Sequence, residues 1–515
     1  MTTHIVRAHA IVPRPARLIT DPAALATVRA DAAHFPDGHT PALAAPTCAE
    51  EVAWVLREHA TVLPIGSQTS LTGGATPRGE VALALRDLRG IERLSADRWR
   101  VGAGLTLAEL QAHLARHDAF FPPVPAYAGA QIGGAAATNA AGPATFKYGA
   151  TRRWIDGLTV VLADGAVLDL ERGQYRAHPD GYFELARPGG GRRIPVPTYH
   201  LPLVAKISAG YYAAPEMDLI DLFLGSEGTL GIITDVVVRV VTPAPRTSLL
   251  FVPFSDEAAA LKLAAALRLD AQRAWRGDGA SPDINAIEYL DADSLALLRE
   301  EDPIAVTGVA LPANARAALI IQREAAVEHE AQATARLAAL LAEARFDDII
   351  AAAPGNIVNV RRIFDVRAGV PLAVNARIGR AQRDIDPRIS KVAADMIVPF
   401  DHVADMIQLF RDEFSRLGLP HAIWGHISDG NLHPNALPRT AEEAEAGQAA
   451  ILRLGRIVTA MGGSPLAEHG VGRNTTKQAL LRQLYGDAGI DQMRAVKAAL
   501  DPDHKLAPGV IFPKA

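Results

Sequence analysis

The sequence predicts an α+β protein of two or three domains, and three observations carry that prediction. The chain has 515 residues, more than one ordinary core accommodates. Its first half alternates short β-like runs with helical stretches and holds three stretches built almost wholly of small residues, at 64–74, 129–142 and 225–231. From about residue 246 the texture changes. Ala-rich helical segments near 256–268, 326–345, 401–417 and 441–460 alternate with short strands near 284–289, 316–322 and 394–398, the pattern of helices packed on an antiparallel sheet.

Composition narrows the function classes. Hydrophobic residues make up 49% and charged residues 21%, which excludes a disordered chain. The net charge is −5 and the basic residues are scattered, so no broad basic surface for nucleic acid is expected. Cys48 is the one cysteine, which excludes a disulfide within the chain and a cysteine-ligated metal. The first residues have no long apolar run, and no stretch of ~18 apolar residues occurs, so neither a signal peptide nor a membrane span is expected. A cytoplasmic protein follows as the expectation, with peripheral membrane attachment compatible.

Residues 1 to about 45 have no clear period and read as an irregular lead-in. Thr47-Cys-Ala-Glu50 has the pattern of a capping box opening a helix to about Ala60. The β-like run Thr61–Ile65 follows, and then Pro64-Ile-Gly-Ser-Gln-Thr-Ser-Leu-Thr-Gly-Gly74. Glycines and small hydroxylated residues after a strand suit an anion cradle, although this is neither a P-loop nor the G-x-G-x-x-G fingerprint. A strand at Val81–Leu85 precedes a second capping box, Thr106-Leu-Ala-Glu109, opening a helix to about His117. In Gly129–Gly142 no side chain exceeds Ile or Gln, so a large flat ligand could lie against backbone. Leu158–Leu170 reads as a hairpin turning at Asp164-Gly165. Residues 172–215 are Gly/Pro/Arg-rich and read as a long surface excursion. Gly225-Ser-Glu-Gly-Thr-Leu-Gly231 runs into a strand at Ile232–Val241, and Pro243 and Pro245 punctuate a boundary.

The densest chemistry lies in Ala422–Asn435 together with Glu468-His469-Gly470. His426 and His433 are seven apart, which would put them on opposite faces of one strand, or roughly 10 Å apart along one helix. A hairpin turning at Asp429-Gly430 brings both imidazoles to one place. Two neutral imidazoles and one carboxylate, with a position left open, make a catalytic metal site. Glu468 is the natural third ligand, and His469 is then a base beside the metal. The other reading is that these histidines hydrogen-bond within loops. After Arg473 a polar helix carries Leu480, Leu484 and Met493 on its apolar side, and the chain closes through Asp501-Pro-Asp.

In this order, Pro64–Gly74, Gly129–Gly142, Gly225–Thr234, Gly425–Asn435, Glu468–Arg473 and Leu500-Asp-Pro resemble one family across residues 40–513. It is the FAD-dependent D-2-hydroxy-acid dehydrogenases of the vanillyl-alcohol-oxidase-like superfamily, which includes cytochrome-type D-lactate dehydrogenase, D-2-hydroxyglutarate dehydrogenase and the glycolate oxidase flavin subunit. The resemblance implies a lead-in at 1–40, a bipartite PCMH-type FAD-binding domain at 41–245, an α+β cap domain at 246–465 and a C-terminal segment, 466–515, that returns to the FAD domain. It implies pyrophosphate contacts from Pro64, Ile65, Gly66, Ser67, Gln68, Thr69, Ser70, Leu71 and Gly73, and from Gly129, Gly133, Gly134, Ala136, Thr138, Asn139 and Gly142. Glu227, Gly231 and Ile232 would lie beside the adenosine–ribityl part. His426, His433 and Glu468 match the metal ligands and His469 the base. Arg367, in Asp365-Val-Arg-Ala-Gly369, matches the arginine that holds the substrate carboxylate, and Asn435 matches a substrate contact.

Three positions depart from the family pattern. Ala368 stands where Glu is usual. The family's substrate lysine is out of register, with Lys391 near and Ala393 closer to the expected place. The usual Asn-Pro-Gly near the end is Ala507-Pro-Gly. No histidine or cysteine is placed for a covalent flavin link, so FAD is expected to be held without a bond. Arg377, Arg380 and Arg383 read as a solvated loop, or else as extra positive charge for a second substrate carboxylate. The implied activity is oxidation of a D-2-hydroxy acid to the 2-oxo acid, with Zn²⁺ or Mn²⁺ as the divalent metal. Electrons would pass to a non-NAD acceptor such as a quinone, a cytochrome or an electron-transfer protein, and a homodimer is compatible. Two readings stay open: a metal-free FAD oxidase using oxygen, and a His/His/Glu metallohydrolase.

Overall fold

The computed structural model describes residues 3–513 apart from 124–126, 188–190, 245, 301–307, 310, 326–329, 345–348 and 354. Pro245, and the two ends of the helical segment expected at 326–345, lie outside the described residues.

Two sheets organise the first half. A four-stranded sheet runs Leu18–Ile19, Leu43–Ala44, Val81–Ala84, Val62–Ile65, the last three parallel to one another. Beside it a six-stranded sheet runs His9–Ala10, Ala166–Glu171, Ile155–Val161, Ile232–Arg239, Arg98–Gly102, Ile91–Arg93. The hairpin expected at Asp164-Gly165 is there, with Val167 opposite Val161 and Gly165 at φ 81°. Strands with both faces covered are apolar throughout, as Val81-Ala-Leu-Ala84 is. The helix Leu107–Ala115 opens on the full capping box: Thr106 accepts from the Glu109 N–H, and Glu109 from the Thr106 N–H.

Three expectations need correction here. The lead-in is not irregular: its residues add Ile5–Arg7, His9–Ala10 and Leu18–Ile19 to three different sheets. Strands this short are paired by their neighbours and show no period of their own. The first capping box does not form, and the helix starts one residue later than that pattern implied. Cys48 is the N-cap of Ala49–Glu58 and makes no side-chain cap bond, while Glu51, not Glu50, reaches back to the Thr47 N–H at 2.6 Å. Residues 172–215 are not a surface excursion. Tyr182–Ala186 and Arg192–Pro195 form a sheet with Ile5–Arg7, and Phe183, Leu185, Ile194 and Tyr211 are fully buried.

The second half is an eight-stranded antiparallel sheet with helices against it. Its order is Ile350–Ala352, Arg246–Phe254, Ala317–Ala325, Asp283–Asp291, His421–His426, Asn431–Ala436, Val392–Ala393, with Met396–Ile397 also beside Asn431–Ala436. Glu257–Ala274, Val403–Arg416 and Ala441–Ala460 bear out the expected helices. One long helix was not expected. Ile357–Asp384 runs through Pro371, so Arg377, Arg380 and Arg383 lie on a helix and not on a loop. Proline has no N–H to give to the carbonyl four residues back, which here is that of Arg367. At the far end the chain returns to the first half: the Val62 N–H donates to Lys505 O, and the Ala507 N–H to Val62 O.

Candidate active site

A cleft of about 1470 Å³, part of it open to solvent, lies along the four-stranded sheet. Its walls are the small-residue stretches: Pro64, Ile65, Gly66, Ser67, Gln68, Thr69, Ser70 and Leu71, then Gly133, Gly134 and Thr138, then Glu227, Gly231 and Ile232. Side chains of the first stretch are engaged within the protein. Ser67 Oγ donates to Gly129 O at 2.7 Å, and Gln68 Nε2 to Val28 O and Ala75 O. These two side chains turn back into the protein, whereas Leu71 is half-exposed.

Five residues expected to touch a cofactor stand behind that wall. Gly73 packs on Phe35, where a Cβ would stand 2.5 Å from the ring, and Gly129 on Tyr127 in the same way. Ala136 is fully buried, and its carbonyl accepts from Gly225 N–H. Asn139 accepts from the Arg152 N–H at 2.9 Å, and the Gly142 N–H donates to Thr145 Oγ1. Two observations fit a cofactor bound in the cleft. A Cβ built on Gly134 meets nothing within 4 Å, so backbone there borders open space. Gln131 Oε1, on the cleft wall, is buried without a hydrogen-bond partner.

Glu468 and His469 also line the cleft. The hairpin behind them pairs His421–His426 with Asn431–Ala436, Trp424 lying opposite His433. Gly430 makes its turn at φ 87°, where a Cβ would come 2.2 Å from Val398 O. Three imidazoles converge on one carboxylate oxygen. The Nε2 atoms of His426, His433 and His469 stand 3.3, 3.4 and 3.5 Å from Glu468 Oε1. The opposite ring nitrogens face other carboxylates: His426 Nδ1 is 2.5 Å from Glu288 Oε1, and the Nδ1 atoms of His433 and His469 are 3.4 and 3.5 Å from Asp395. A carboxylate stands behind each ring, the arrangement that orients histidines where they serve as metal ligands. Asp395, His433, Glu468 and His469 have ligand atoms within 4.8 Å of one another. Imidazole nitrogens and carboxylate oxygens suit Zn²⁺ or Mn²⁺.

The other expected site residues lie at different distances from this centre. Arg367 Nε donates to Glu288 Oε2 at 2.7 Å, and so shares the Glu288 carboxylate with His426. Asn435 is buried beside His433, donating to its carbonyl at 3.0 Å, and its Oδ1 has no partner. Lys391 is exposed and bonds Asn375 at 2.9 Å, and it lines a small pocket together with Asp395. Arg377 turns away to Glu300.

Sequence reasoning missed Lys206, Asp395 and Glu288, and saw Asp429 only as a turn residue. Lys206 comes from the 172–215 segment, and its side chain is fully buried. Its Nζ is 3.0 Å from Glu468 Oε2 and 3.1 Å from Asp429 Oδ2. Each of the missed three is a lone charge in a run of apolar or small residues, as in Val392-Ala-Ala-Asp-Met-Ile397, and such a charge is almost never buried without a partner. Burial acts to raise the Glu468 carboxyl, but Lys206 and His426 outweigh it and hold it well below its usual range. Burial likewise opposes the Asp395 charge, and His469 and His433 prevail. Burial lowers His433. For His426 burial is outweighed by Glu288 and Glu468, which push it up to about 9.

Comparison with known proteins bears on the family and the fold. Residues 246–511 match the family of FAD linked oxidases in its C-terminal domain, and residues 40–171 match an FAD binding domain. The chain is 28% identical to the glycolate oxidase subunit GlcD of Bacillus subtilis, over 92% of this chain and 89% of that protein. It is 28% identical to a D-2-hydroxyglutarate dehydrogenase of Xanthomonas citri pv. viticola, over 96% and 94%. Among solved structures, alkyldihydroxyacetonephosphate synthase aligns with a TM-score of 0.61 at 15% identity, covering 97% of this chain and 87% of that one, which shows a shared fold. Among the described residues no helix is long and apolar enough to cross a membrane.

Proposed function

The chain belongs to the FAD-linked oxidase family, and from that premise we propose that it oxidises a D-2-hydroxy acid to the 2-oxo acid, with a divalent metal at the imidazole cluster. The observation that carries the reading is the convergence of three imidazoles on Glu468, in the lining of a cleft walled by small residues. Two similar proteins are named for 2-hydroxy-acid chemistry, which supports that substrate class.

FAD, bound without a covalent link in the cleft, would supply the hydride acceptor. A divalent metal held by His426, His433 and Glu468 would supply a Lewis acid for the substrate hydroxyl. The residues of the chain do the rest. Arg367 offers a planar fork to the substrate carboxylate and is itself steadied by Glu288. Asn435 has an unpaired carbonyl oxygen to offer a donor. His469 Nε2 takes the hydroxyl proton, while Asp395 stands beside Nδ1 to stabilise the imidazolium that results. Electrons leave to a non-NAD acceptor, and the protein acts in the cytoplasm.

A second reading rests on Lys206. Its ammonium already neutralises Glu468, so the cluster could be complete without a metal and the histidines structural. Visible spectrum, metal content and chelator sensitivity decide. The metal reading expects a yellow protein with one divalent ion per chain and loss of turnover in chelator, restored by Zn²⁺ or Mn²⁺. A yellow protein free of metal and indifferent to chelator leaves the Lys206 reading. A colourless protein that FAD cannot reconstitute ends both.

A further inference from the structure

The stretch Glu468-His469-Gly470-Val471-Gly472 is gripped through its backbone by two carboxylates from distant parts of the chain, one buried and one half-buried on the cleft wall. Asp395 Oδ2 accepts from the N–H groups of Glu468 at 2.7 Å and His469 at 3.0 Å. Glu227 Oε1 accepts from Val471 N–H at 2.8 Å, and Oε2 from Gly472 N–H at 2.8 Å. The tight turn between needs glycine: Gly470 has φ 73° and Gly472 φ 58°. A Cβ on Gly470 would come 3.1 Å from the Glu227 carboxyl carbon.

Glu227 is tied just as firmly to the cleft. Its own N–H donates to Ala137 O at 2.8 Å, and the neighbouring Gly225 N–H to Ala136 O at 3.1 Å. One residue therefore joins the 129–142 stretch, which walls the cleft, to the stretch that carries His469. Only an acceptor-only group serves two converging N–H donors, and carboxylate is that group. Such charge-assisted bonds are about twice as strong as neutral ones, which offsets the cost of burying the charge.

We propose that Glu227 is a positioning residue, whose carboxylate straps the 468–472 stretch to the cleft wall and sets where His469 stands, and which serves a cofactor through its place in the fold and not as a ligand. The role assigned to His469 rests on the proposed function; the strap itself does not.

The test compares FAD-loaded wild type with Glu227→Gln and Glu227→Asp. Glutamine fills the same space but turns an NH₂ toward one of the two donors. Amide exchange across 468–473 is expected to speed up about tenfold or more in Glu227→Gln, and to recover in part in Glu227→Asp. Exchange across 129–142 and FAD affinity are expected to stay as in wild type, while the flavin reduction rate at saturating substrate falls roughly 10–100-fold. Weaker FAD binding with unchanged exchange at 468–473 overturns the proposal and makes Glu227 a cofactor contact. Unchanged exchange and unchanged binding overturn it as well. Where Glu227→Gln does not fold, Glu227→Asp carries the test alone, with exchange across 468–473 still expected to exceed that of wild type. If wild type turns over no 2-hydroxy acid, the proposed function fails, and the exchange result still decides the strap.

Discussion

Along its 64–71 and 129–142 walls the cleft is lined by backbone and small side chains, with Gln131 its buried polar exception. Elsewhere in its lining, Glu468 and His469 belong to a cluster of largely buried charges drawn from five separate segments: Lys206, Glu288, Asp395, the 426–433 hairpin and 468–469. The two regions solve different problems. A large flat ligand needs close approach, and close approach needs side chains removed. Proton and metal chemistry needs several ionisable groups within a few ångströms, and these are tolerated only where each charge has a partner. The first region is made by what the sequence leaves out, the second by what it brings together.

Substitutions that separate the two regions test that division, and His469→Ala should have the largest effect. Flavin reduction is expected to fall roughly 10²–10⁴-fold, the usual contribution of a placed general base. FAD and metal content should stay as in wild type. Loss of metal in this variant, with retention in Glu468→Ala, would exchange the roles of the two residues. Lys206→Met comes next. It strands Glu468 and Asp429, and breaking a buried pair by removing one partner costs about 3–5 kcal/mol. The denaturant midpoint reads this directly. If the cluster takes a metal, added Zn²⁺ or Mn²⁺ should restore part of the loss, whereas no response to cation favours histidines that are structural.

Gly134→Val addresses the other region. Its side chain meets only open space in the empty cleft, so the thermal midpoint of the apoprotein should hold. FAD affinity should fall roughly 10–100-fold, since overfilling a packed site costs about 1–3 kcal/mol. Gly133→Val is the contrast: a Cβ there stands 2.6 Å from Ala103, so the fold itself should suffer. Equal effects of the two substitutions on stability would mean that Gly134 does not border the cofactor space. The smallest effect belongs to Thr106→Ala, outside both regions. Losing this cap should cost about 1 kcal/mol by denaturation and leave FAD and metal content alone. A change in either would show that general destabilisation mimics a site effect.

The same division explains what the sequence made legible. Small-residue stretches are contiguous, so all three cleft walls could be read, as could the His426–His433 hairpin with its Asp429-Gly430 turn. Single buried charges have no motif, so Lys206, Asp395 and Glu288 emerge only when the chain is folded. The helix Ile357–Asp384 was hidden because Gly369, Pro371 and Gly379 lie inside it, and tertiary packing of Ile363, Val366, Val370 and Val374 overrides their propensity. The cap at Thr47 was misread by one residue because Glu50 and Glu51 are both carboxylates, and only the position of the first turn chooses between them.

The division of labour between cleft and cluster is tested most directly by mixing the yellow, metal-loaded protein anaerobically with the separate D and L forms of a 2-hydroxy acid and following the flavin absorbance. Arg367 and the cluster would fix two substituents of the substrate carbon, so one enantiomer alone should present its hydrogen to the cofactor. The expected result is rapid bleaching by the D form, none by the L form, and loss of the D response in His469→Ala. Bleaching by both forms at equal rates, or by no 2-hydroxy acid at all, would contradict it.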